Sequence, residues 1–410
     1  MNENLLTKGE TAQVSQVEIL VVKEFLTGNY LFRRNILNGK VEFADRPKGD
    51  AAELSDDNQP VYRALTPEAL NSIIIRAKIE QILESGNPKS DIIEYVQSEE
   101  IPFFNPIKDF LESLPEWDGH NHVARLFGRL PGISTEQMNF LTIWLRSAVA
   151  HWFQMDTLHG NECVPTLIGA QGCGKTTFFK RLLPISLREY FLDHLNLSNK
   201  FDKEMALTNN LLVCLDELDT IRPSQHPALK QTLSKSKVNG RPIFGKTQAD
   251  RLRFASFVAT TNNQHPLTDA TGSRRYICLT IPQGHMIDNE GDIDYRQLYA
   301  QVVYELRVAK VPYWFNNSEV ARIQELNQNY MGQTDMKAII NACFRKPKED
   351  EKPLAMNSSK IIAHIQKDFP TVKDDQSTKV FLGLAMKELE YERTERGHVA
   401  YYKVVPLKVA

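Results

Sequence analysis

Residues 169–176 constrain the fold of this chain more than any other segment. Their sequence, GAQGCGKT, has the form G-x-x-x-x-G-K-T; it follows the short apolar run 164–168 and precedes a helical pattern over 177–183. Glycines allow backbone N–H groups to surround phosphates, and a helix N-terminus adds partial positive charge. A chance glycine-rich turn is the alternative, but strand, loop and helix occur in the required order. The segment therefore predicts a phosphate-binding loop.

The residues of this loop have separate expected roles. Lys175 is expected to reach the β- and γ-phosphates of a nucleotide, and the Thr176 hydroxyl is expected to bind Mg²⁺. ATP and Mg²⁺ are therefore the predicted cofactors. The residues expected to contact the nucleotide are Gly169, Ala170, Gln171, Gly172, Cys173, Gly174, Lys175, Thr176 and Thr177.

A second apolar run, 211–215, ends in the acidic pair Asp216 and Glu217. Continuous apolar character is typical of a central parallel strand. A solvated strand end would also look like this, but Asp216 lies 41 residues after Lys175, which strengthens the functional interpretation. We expect Asp216 to bind Mg²⁺ and Glu217 to activate the attacking water.

Two further polar features follow a third apolar run, 254–260. We expect Asn262 to orient the attacking water against the γ-phosphate; the alternative is that it only begins a turn. Arg274 and Arg275 lie in a Gly-Ser turn before the strand pattern 276–281. Such arginines can stabilise transition-state charge at a neighbouring subunit's nucleotide. The alternative is a surface pair that binds carboxylates.

A basic segment lies between the second and third apolar runs, although the formal net charge of the chain is −2. Its basic residues, opposed by Asp250 alone, are Lys230, Lys235, Lys237, Arg241, Lys246, Arg251 and Arg253. Local positive charge in a slightly acidic chain is a candidate for salt-sensitive contacts with nucleic-acid phosphates. We expect Lys237, Arg241 and Lys246 to contact DNA; a solvated charged surface is the alternative.

The alternation of short apolar strands with helical segments over 163–281 predicts an α/β fold class. A chain of 410 residues is too long for one compact core. The predicted domains are an N-terminal α+β region (1–125, hairpin then helices), a P-loop ATPase domain (126–310), a helical connector and linker (311–347) and a C-terminal domain (348–410).

Local patterns outside the central region predict further elements. Residues 17–43 predict a strand and then a hairpin that turns at Asn38 and Gly39. A helix is predicted over 66–83, and the charged segment 345–352 is predicted to be a linker. The predicted apolar face of the 66–83 helix consists of Ile75, Ile79, Ile82 and Leu83.

The C-terminal pattern is helix, helix, strand, turn, strand. The predicted helices are 358–369 and 377–389, and Arg396 and Gly397 lie at the predicted turn. This order is typical of a winged helix. Winged helices bind DNA or other proteins, and the segment is not clearly basic, so both kinds of partner stay open.

Cysteine usage and hydropathy bear on the compartment. The five cysteines contain no C-x-x-C pair, which is typical of free thiols in a reducing compartment. Residues 1–10 are polar and lack the apolar stretch of a signal peptide. No run approaches the roughly 18 apolar residues of a membrane span. We therefore expect a cytoplasmic protein without a membrane partner.

The order of these motifs resembles the virulence-associated protein E family of phages, plasmids and integrated elements, which is similar to a branch of superfamily 3 helicases. The resemblance covers roughly residues 102–307. Besides the motifs above, it includes the segments 101–106, 114–119 and 293–298.

The resemblance implies an AAA+-like, superfamily 3-type P-loop ATPase core, and it implies a site in the same residues. Residues 169–176 would form the phosphate loop, Asp216 and Glu217 the metal and water residues, Asn262 the sensor, and Arg274 or Arg275 the arginine finger. It also implies a hexameric ring. Lys246, sixteen residues before Asn262, occupies the place of the basic residue in the DNA-gripping hairpin of such helicases.

The predicted function is therefore an ATP-driven helicase or replication-initiator motor of a phage or mobile genetic element, acting on single-stranded or forked DNA. No paired-acid polymerase motif is found, so priming is expected of a separate primase. One alternative is a nucleotide-gated DNA-binding initiator or scaffold without unwinding activity. Another is a P-loop ATPase that acts on protein partners.

Overall fold

A computed structural model of the chain describes eleven stretches of residues. They are 8–47, 60–84, 86–155, 160–221, 225–240, 249–267, 273–331, 336–348, 351–370, 372–397 and 399–407.

The N-terminal region combines helices with a small sheet of strand order β3-β2-β1-β4. Its elements are α1 (Lys8–Asn29), β1 (Tyr30–Asn35), β2 (Val41–Asp45), β3 (Arg63–Ala64), α2 (Pro67–Ile79), α3 (Lys89–Gln97), β4 (Phe103–Phe104), α4 (Pro106–Glu112) and α5 (His122–Phe127). The predicted hairpin is present: β1 and β2 pair antiparallel, and Gly39 in the turn has φ +70°.

The prediction of a strand for residues 17–29 is wrong, because these residues belong to α1. Three of the four residues at 19–22 are β-branched, which favours a strand. Val22, Phe25 and Leu26 instead bury one helical face against the N-terminal sheet. Packing of this face outweighs the local β preference.

The predicted apolar face of α2 is also wrong. Thr66 caps the helix at its predicted start, but the helix ends at Ile79, so Ile82 and Leu83 lie beyond it. Ile75 and Ile79 are 56% and 75% exposed. The neighbouring face, with Ile73, Ile74 and Ala77, is the one that packs into the core. With several isoleucines in one turn, periodicity alone does not identify the buried face.

A five-stranded parallel sheet forms the centre of the molecule, and the predicted α/β class is confirmed. Its strands are β5 (Val164–Ile168), β6 (Phe191–Leu192), β7 (Leu212–Leu215), β10 (Ser256–Thr261) and β11 (Tyr276–Thr280). The order across the sheet is β11-β5-β10-β7-β6, and each neighbouring pair is parallel. All residues of β5, β7 and β10 are buried.

Helices cover both faces of this sheet. They are α6 (Thr135–Trp152), α7 (Lys175–Lys180), α8 (Lys200–Asn209), α9 (His226–Ser234) and α10 (Tyr295–Arg307). On one face, Trp144 of α6, Phe178 of α7 and Tyr299 of α10 pack together in one core cluster. On the other, Leu207 of α8 and Leu233 of α9 pack in a second cluster. The strands are therefore the middle layer of three.

A two-stranded hairpin is attached at the amino end of β10. It consists of β8 (Lys237–Gly240) and β9 (Ala249–Leu252), which pair antiparallel. Residues 253–255 connect β9 directly to β10.

The C-terminal elements follow α11 (Asn317–Leu326). They are α12 (Met336–Cys343), β12 (Phe344–Arg345), β13 (Leu354–Asn357), α13 (Ser358–Ile365), α14 (Gln376–Glu388), β14 (Arg393–Arg396) and β15 (Val399–Pro406). The predicted connector and linker differ from the structure at two points. Met336 and Ile340 of α12 pack with α13 and α14, and Phe344 and Arg345 form a strand with β15. The amphipathic face of α12 belongs to the C-terminal core.

Burial keeps the thiols of Cys163, Cys214 and Cys278 protonated, because it raises their pKa values. All five are buried free thiols. Burial away from solvent raises the pKa of Cys163 to about 12 and raises the pKa of Cys214 and Cys278 further. Within the described part of the chain, no helix combines the length and the apolar composition needed to cross a membrane.

Candidate functional site

The loop 169–174 joins the carboxyl end of β5 to α7. Gly172 and Gly174 have φ values of +82° and +91°, a region that glycine adopts without steric cost. A Cβ on Gly174 would lie 2.3 Å from Asn289 Nδ2, so this position also needs glycine for space. The outer part of the loop, Ala170, Gln171 and Gly172, is exposed, as is Thr177 in α7. The backbone of this loop is therefore open to a ligand above the sheet.

Lys175 lies at the centre of the loop and is buried. Its Nζ donates hydrogen bonds to Gly169 O at 2.8 Å, Ala170 O at 2.9 Å and Asn262 Oδ1 at 2.8 Å. An ammonium group has three donors, and these three contacts use them. The structure thus brings Lys175 and Asn262, which are 87 residues apart, into direct contact.

Thr176 and Asp216 also lie together. Thr176 Oγ1 donates to Asp216 Oδ1 at 3.3 Å, and Thr260 Oγ1 donates to the same carboxylate oxygen. Hydroxyl and carboxylate oxygens are ligands that Mg²⁺ prefers. The donor set therefore fits the predicted metal.

Glu217 follows Asp216 and is exposed. Its backbone is left-handed, with φ 51° and ψ 56°, which is uncommon for a residue other than glycine. Thr220 stabilises this turn, because its N–H and its hydroxyl both donate to Glu217 O at 2.8 Å. Such backbone strain clusters at functional sites.

Two residues that contact this region were missed in the sequence. Thr260 is one; a hydroxyl near the end of an otherwise apolar strand was the available signal. Asn289 is the other: its Nδ2 donates to Gly174 O at 2.9 Å, while Ile287 N donates to Cys173 O at 3.0 Å. Nothing local in the sequence marks Asn289, because its partner lies 115 residues away.

Arg274 and Arg275 lie at the opposite end of the sheet. They directly precede β11, whose first residue, Tyr276, pairs with Val164, the first residue of β5. Lys175 follows the other end of β5, and five residues of strand span roughly 16 Å. Within one chain, the arginines are therefore not brought together with the phosphate loop.

The two arginines have different environments. Arg275 Nε forms an ion pair with Glu162 Oε2 at 3.0 Å, a second guanidinium nitrogen donates to Ser234 Oγ at 3.3 Å, and the side chain is only 14% exposed. Arg274 is exposed. Among the described residues it has no hydrogen bond or ion pair. Arg275 is therefore held in place, and Arg274 extends into solvent.

The predicted DNA-contacting residues are described only in part. Lys237 lies on β8, where its Nζ pairs with Asp250 Oδ2 of β9 at 2.6 Å. Arg241 and Lys246 lie outside the described residues. The hairpin therefore carries at least one exposed cation, Lys237, at the amino end of the sheet. Its charge is offset by Asp250 on the neighbouring strand.

Arg253, at the base of the hairpin, is not an exposed cation. It is fully buried, and its guanidinium donates to Leu233 O, Lys235 O, Ala255 O and Asn161 O. Burial lowers its pKa to about 10, so it stays protonated at neutral pH. This arginine joins the end of α9, the hairpin and the segment before β5.

The family model for the virulence-associated protein E-like domain matches residues 111–332, more than half of the chain. Among solved structures, the apo C-terminal region of NrS-1 is similar at 13% identity, with a TM-score of 0.42, 95% of this chain and 99% of that chain covered. The structure titled "SCCmec type IV Cch - active helicase" has 10% identity, a TM-score of 0.33 and 92% of each chain covered. No curated protein matched the chain.

Proposed function

Because this chain belongs to the virulence-associated protein E-like family, we propose that it is an ATP-hydrolysing motor that acts on DNA as a helicase or replication initiator of a phage or mobile genetic element. One observation carries the proposal. Lys175, Asn262 and the Thr176–Asp216 pair converge at the carboxyl ends of the adjacent strands β5, β10 and β7. Ligands of open α/β sheets bind at this edge.

Nucleotide binding is assigned to residues 169–177. The exposed loop amides bind the phosphates, and Lys175 exchanges its bonds to Gly169 O and Ala170 O for bonds to phosphate oxygens. Thr176 and Asp216 would hold Mg²⁺, which would neutralise charge on the phosphates.

Hydrolysis is assigned to the side chains that follow β7 and β10. Glu217 accepts a proton from the attacking water, and Asn262, released from Lys175 when phosphate replaces it, orients that water. Burial of the strands beneath these groups keeps their backbone in fixed positions.

Arg274 and Arg275 act between copies of the chain, in a hexameric ring. Their place at the amino end of the sheet supports this, because neither reaches the phosphate loop of its own chain. An arginine from a neighbour stabilises charge in the transition state. Lys237, Arg241 and Lys246 of the hairpin contact single-stranded or forked DNA, and priming is left to a separate primase.

The C-terminal elements α12 to β15 have the order of a winged helix, and we place the start of this domain at α12 and not at residue 348. Val380 and Leu384 of α14 are exposed apolar residues, while Phe381 packs against the core beside the parallel sheet. An apolar outer face favours contact with protein over contact with DNA phosphates for this domain. ATP hydrolysis directed at a protein partner is therefore the second candidate function.

Strand displacement on a forked DNA, measured beside ATP turnover, tests the proposal. The wild-type chain is expected to hydrolyse ATP, to be stimulated by DNA and to separate the strands; Lys175→Ala is expected to do none of these. Turnover without strand separation supports a DNA-binding initiator. Turnover that ignores DNA supports action on protein. A wild-type chain that neither binds nor hydrolyses ATP contradicts the proposal.

A further inference from the structure

The connection between β11 and α10, residues 281–294, runs along the outside of the phosphate loop. It begins at the carboxyl end of the sheet, where Ile281 N donates to Ile168 O at 2.7 Å. Ile168 is the last residue before the loop. A Cβ added to Gly169 would lie 3.0 Å from the Cβ of Ile281, so the two backbones approach each other closely. The connection therefore starts against the first glycine of the loop.

The same connection also bonds the carbonyl groups at the other end of the loop. Ile287 N donates to Cys173 O at 3.0 Å, and Asn289 Nδ2 donates to Gly174 O at 2.9 Å. Gly174 O also accepts the N–H of Phe178 of α7 at 2.9 Å. Both lone pairs of this carbonyl oxygen are therefore used.

These contacts set the direction of two backbone amides. A peptide bond is planar and trans, so each C=O points away from the N–H of the next residue. Because Cys173 O and Gly174 O are turned toward the connection, the N–H groups of Gly174 and Lys175 point to the opposite side. Neither N–H donates to another backbone group in the described part of the chain. Both are therefore available to a phosphate.

The connection is itself held in place by polar contacts. Asp288 Oδ1 accepts the N–H groups of Gly291 and Glu290, each at 3.1 Å, which holds the pKa of that carboxyl below its ordinary value. Gly291 O accepts hydrogen bonds from Arg129 at 2.7 Å and from Arg181 at 2.6 Å. Arg181 directly follows α7, so the connection is joined to the chain at both ends of this helix.

Asn289 supplies a donor that the loop cannot obtain from a carboxylate. Gly174 O can only accept a hydrogen bond, so the amide nitrogen of Asn289 and not its amide oxygen must face it. Asn289 Oδ1 is buried and has no hydrogen-bond partner among the described residues. A buried acceptor without a partner costs about 1–3 kcal/mol. Local stability therefore does not account for this side chain, whereas its contact with the phosphate loop does.

We propose that Asn289 is a positioning residue of the phosphate loop. By holding Gly174 O, it directs the N–H of Lys175 toward the β-phosphate of a bound nucleotide. The inference rests on the proposed function, because it needs a nucleotide at this loop. It assigns Asn289 to binding and not to the chemical step, since a hydrogen bond to the β-phosphate is present both before and during hydrolysis.

Two variants at this position and one control test the role. Asn289→Ala removes the donor. Asn289→Asp keeps the shape of the side chain but places an acceptor against Gly174 O. Glu290→Ala, at an exposed neighbour in the same connection, is the matched control. Equilibrium binding of ADP and of AMP is measured with Mg²⁺ on each full chain, and thermal unfolding shows that each variant is folded.

The ratio of ADP affinity to AMP affinity is expected to fall by at least about tenfold in Asn289→Ala, because AMP has no β-phosphate and hydrogen bonds to charged groups contribute this much. Asn289→Asp is expected to lower the ratio further. In Asn289→Ala the KM for ATP should rise by at least about tenfold while kcat falls less than about threefold, which is the pattern of lost uniform binding. Glu290→Ala should match the wild-type chain in every measurement.

Three results overturn the inference. They are an unchanged ratio in a folded Asn289 variant, an equal loss in Glu290→Ala, and a fall in kcat with KM unchanged. Hydrogen exchange over residues 169–178 without nucleotide is measured beside these. Faster exchange in Asn289→Ala with an unchanged ratio means that the contact is only structural, which also overturns the inference.

The inference and the proposed function fail in different ways. A wild-type chain that binds neither ADP nor ATP contradicts the proposed function, and the role of Asn289 is lost with it. A wild-type chain that binds and hydrolyses ATP, together with an unchanged ratio in Asn289→Ala, removes the role of Asn289 and leaves the ATPase.

Discussion

The two ends of the central sheet differ in where their polar side chains find partners, although the same strands carry both. At the carboxyl ends, Lys175 donates to Asn262, and Thr176 and Thr260 both donate to Asp216, all inside one chain. At the amino ends, Arg274 is exposed, and a cleft of about 780 Å³ lined by Tyr313, Trp314 and Phe315 opens beside it. The side chains at the first end have their partners inside one molecule, whereas Arg274 at the second end is exposed.

Parallel geometry is the reason for this division. Every strand points the same way, so side chains that follow different strands meet at one edge. Residues that precede the strands meet at the other edge, roughly 16 Å away over five residues. A chain with this fold cannot bring Arg274 to its own Lys175 without breaking the sheet.

Of the variants that test the difference between the two ends of the sheet, Lys175→Ala should reduce ATP hydrolysis most. Loss of the ammonium removes charge stabilisation at the phosphates, and we expect hydrolysis to fall by at least about 10³-fold. The fold should be retained, because Lys175 contacts loop carbonyls and Asn262 and not the apolar core. Lys180→Ala, at an exposed residue of the same helix, is the control. Near-normal turnover by folded Lys175→Ala would place the chemistry elsewhere.

Arg274→Ala should have the next largest effect, and it should act on the neighbouring copy. An arginine finger contributes about 10³-fold or more to turnover. A mixture of Arg274→Ala with Lys175→Ala should regain part of the activity, because sites exist in which an intact loop meets an intact arginine. As single variants, Arg275→Ala should lose less turnover than Arg274→Ala, because Arg275 is paired with Glu162 inside its own chain whereas Arg274 is exposed. Equal loss of turnover in the two single variants would contradict this difference between the arginines.

Glu217→Gln should reduce hydrolysis by about 10²-fold and leave ATP binding intact, because the amide cannot accept the proton from water. Trapped ATP should stabilise both the fold and the assemblies by mass action. Equilibrium binding of ATP and single-turnover hydrolysis measure the two effects. Loss of binding would instead assign Glu217 a structural role through its strained backbone.

The side chains predicted to act at the carboxyl end of the sheet lie together in the structure, whereas the predicted arginines lie at its other end. The loop 169–176 is a local motif whose residues act through their own backbone, and Asp216 follows a continuous apolar strand. Each could be recognised without knowledge of its neighbours. Thr260 and Asn289 could not be assigned, because their roles depend on partners 44 and 115 residues away.

At the amino end, the sequence identified the arginines but not their environments. Nothing local distinguishes Arg274, which is exposed, from Arg275, which is paired with Glu162 more than a hundred residues earlier. Arg253 counted as one of several basic residues in the sequence, yet it is fully buried among backbone carbonyls. The errors at α1 and α2 have the same origin: tertiary packing decided which residues of an apolar segment are buried.

Arg253→Met should destabilise the amino end of the sheet. Three carbonyls from other segments, those of Leu233, Lys235 and Asn161, lose a charged donor inside the core. We expect the free energy of unfolding to fall by about 3 kcal/mol, which lowers the melting temperature by roughly 6–12 °C. Lys360→Met, at an exposed cation of α13, should change it little. Unchanged stability in Arg253→Met would mean that this buried arginine does not hold the hairpin base.

Changes to the hairpin should have the smallest effect. They should alter the affinity for DNA and leave ATP hydrolysis unchanged. Lys237 shares its charge with Asp250 at 2.6 Å, and exposed pairs of this kind contribute little to stability. If Lys237 contacts a phosphate of single-stranded DNA, Lys237→Ala should lower the slope of log affinity against log salt by about 0.7, and Lys246→Ala should do the same. Asp250→Ala should strengthen DNA binding, because it removes the competing carboxylate.

Basal ATP hydrolysis without DNA should stay constant in all three variants, because the length of the sheet separates the hairpin from Lys175. Affinity is measured at several salt concentrations for the wild-type chain and each variant. Because Asp250→Ala and Lys237→Ala shift affinity in opposite directions only when the lysine faces phosphate, the pair distinguishes a direct contact from a loss of hairpin structure. Weaker binding in both variants would indicate that the ion pair only maintains the hairpin, and the DNA-contacting role of the amino end would then depend on Arg241 and Lys246.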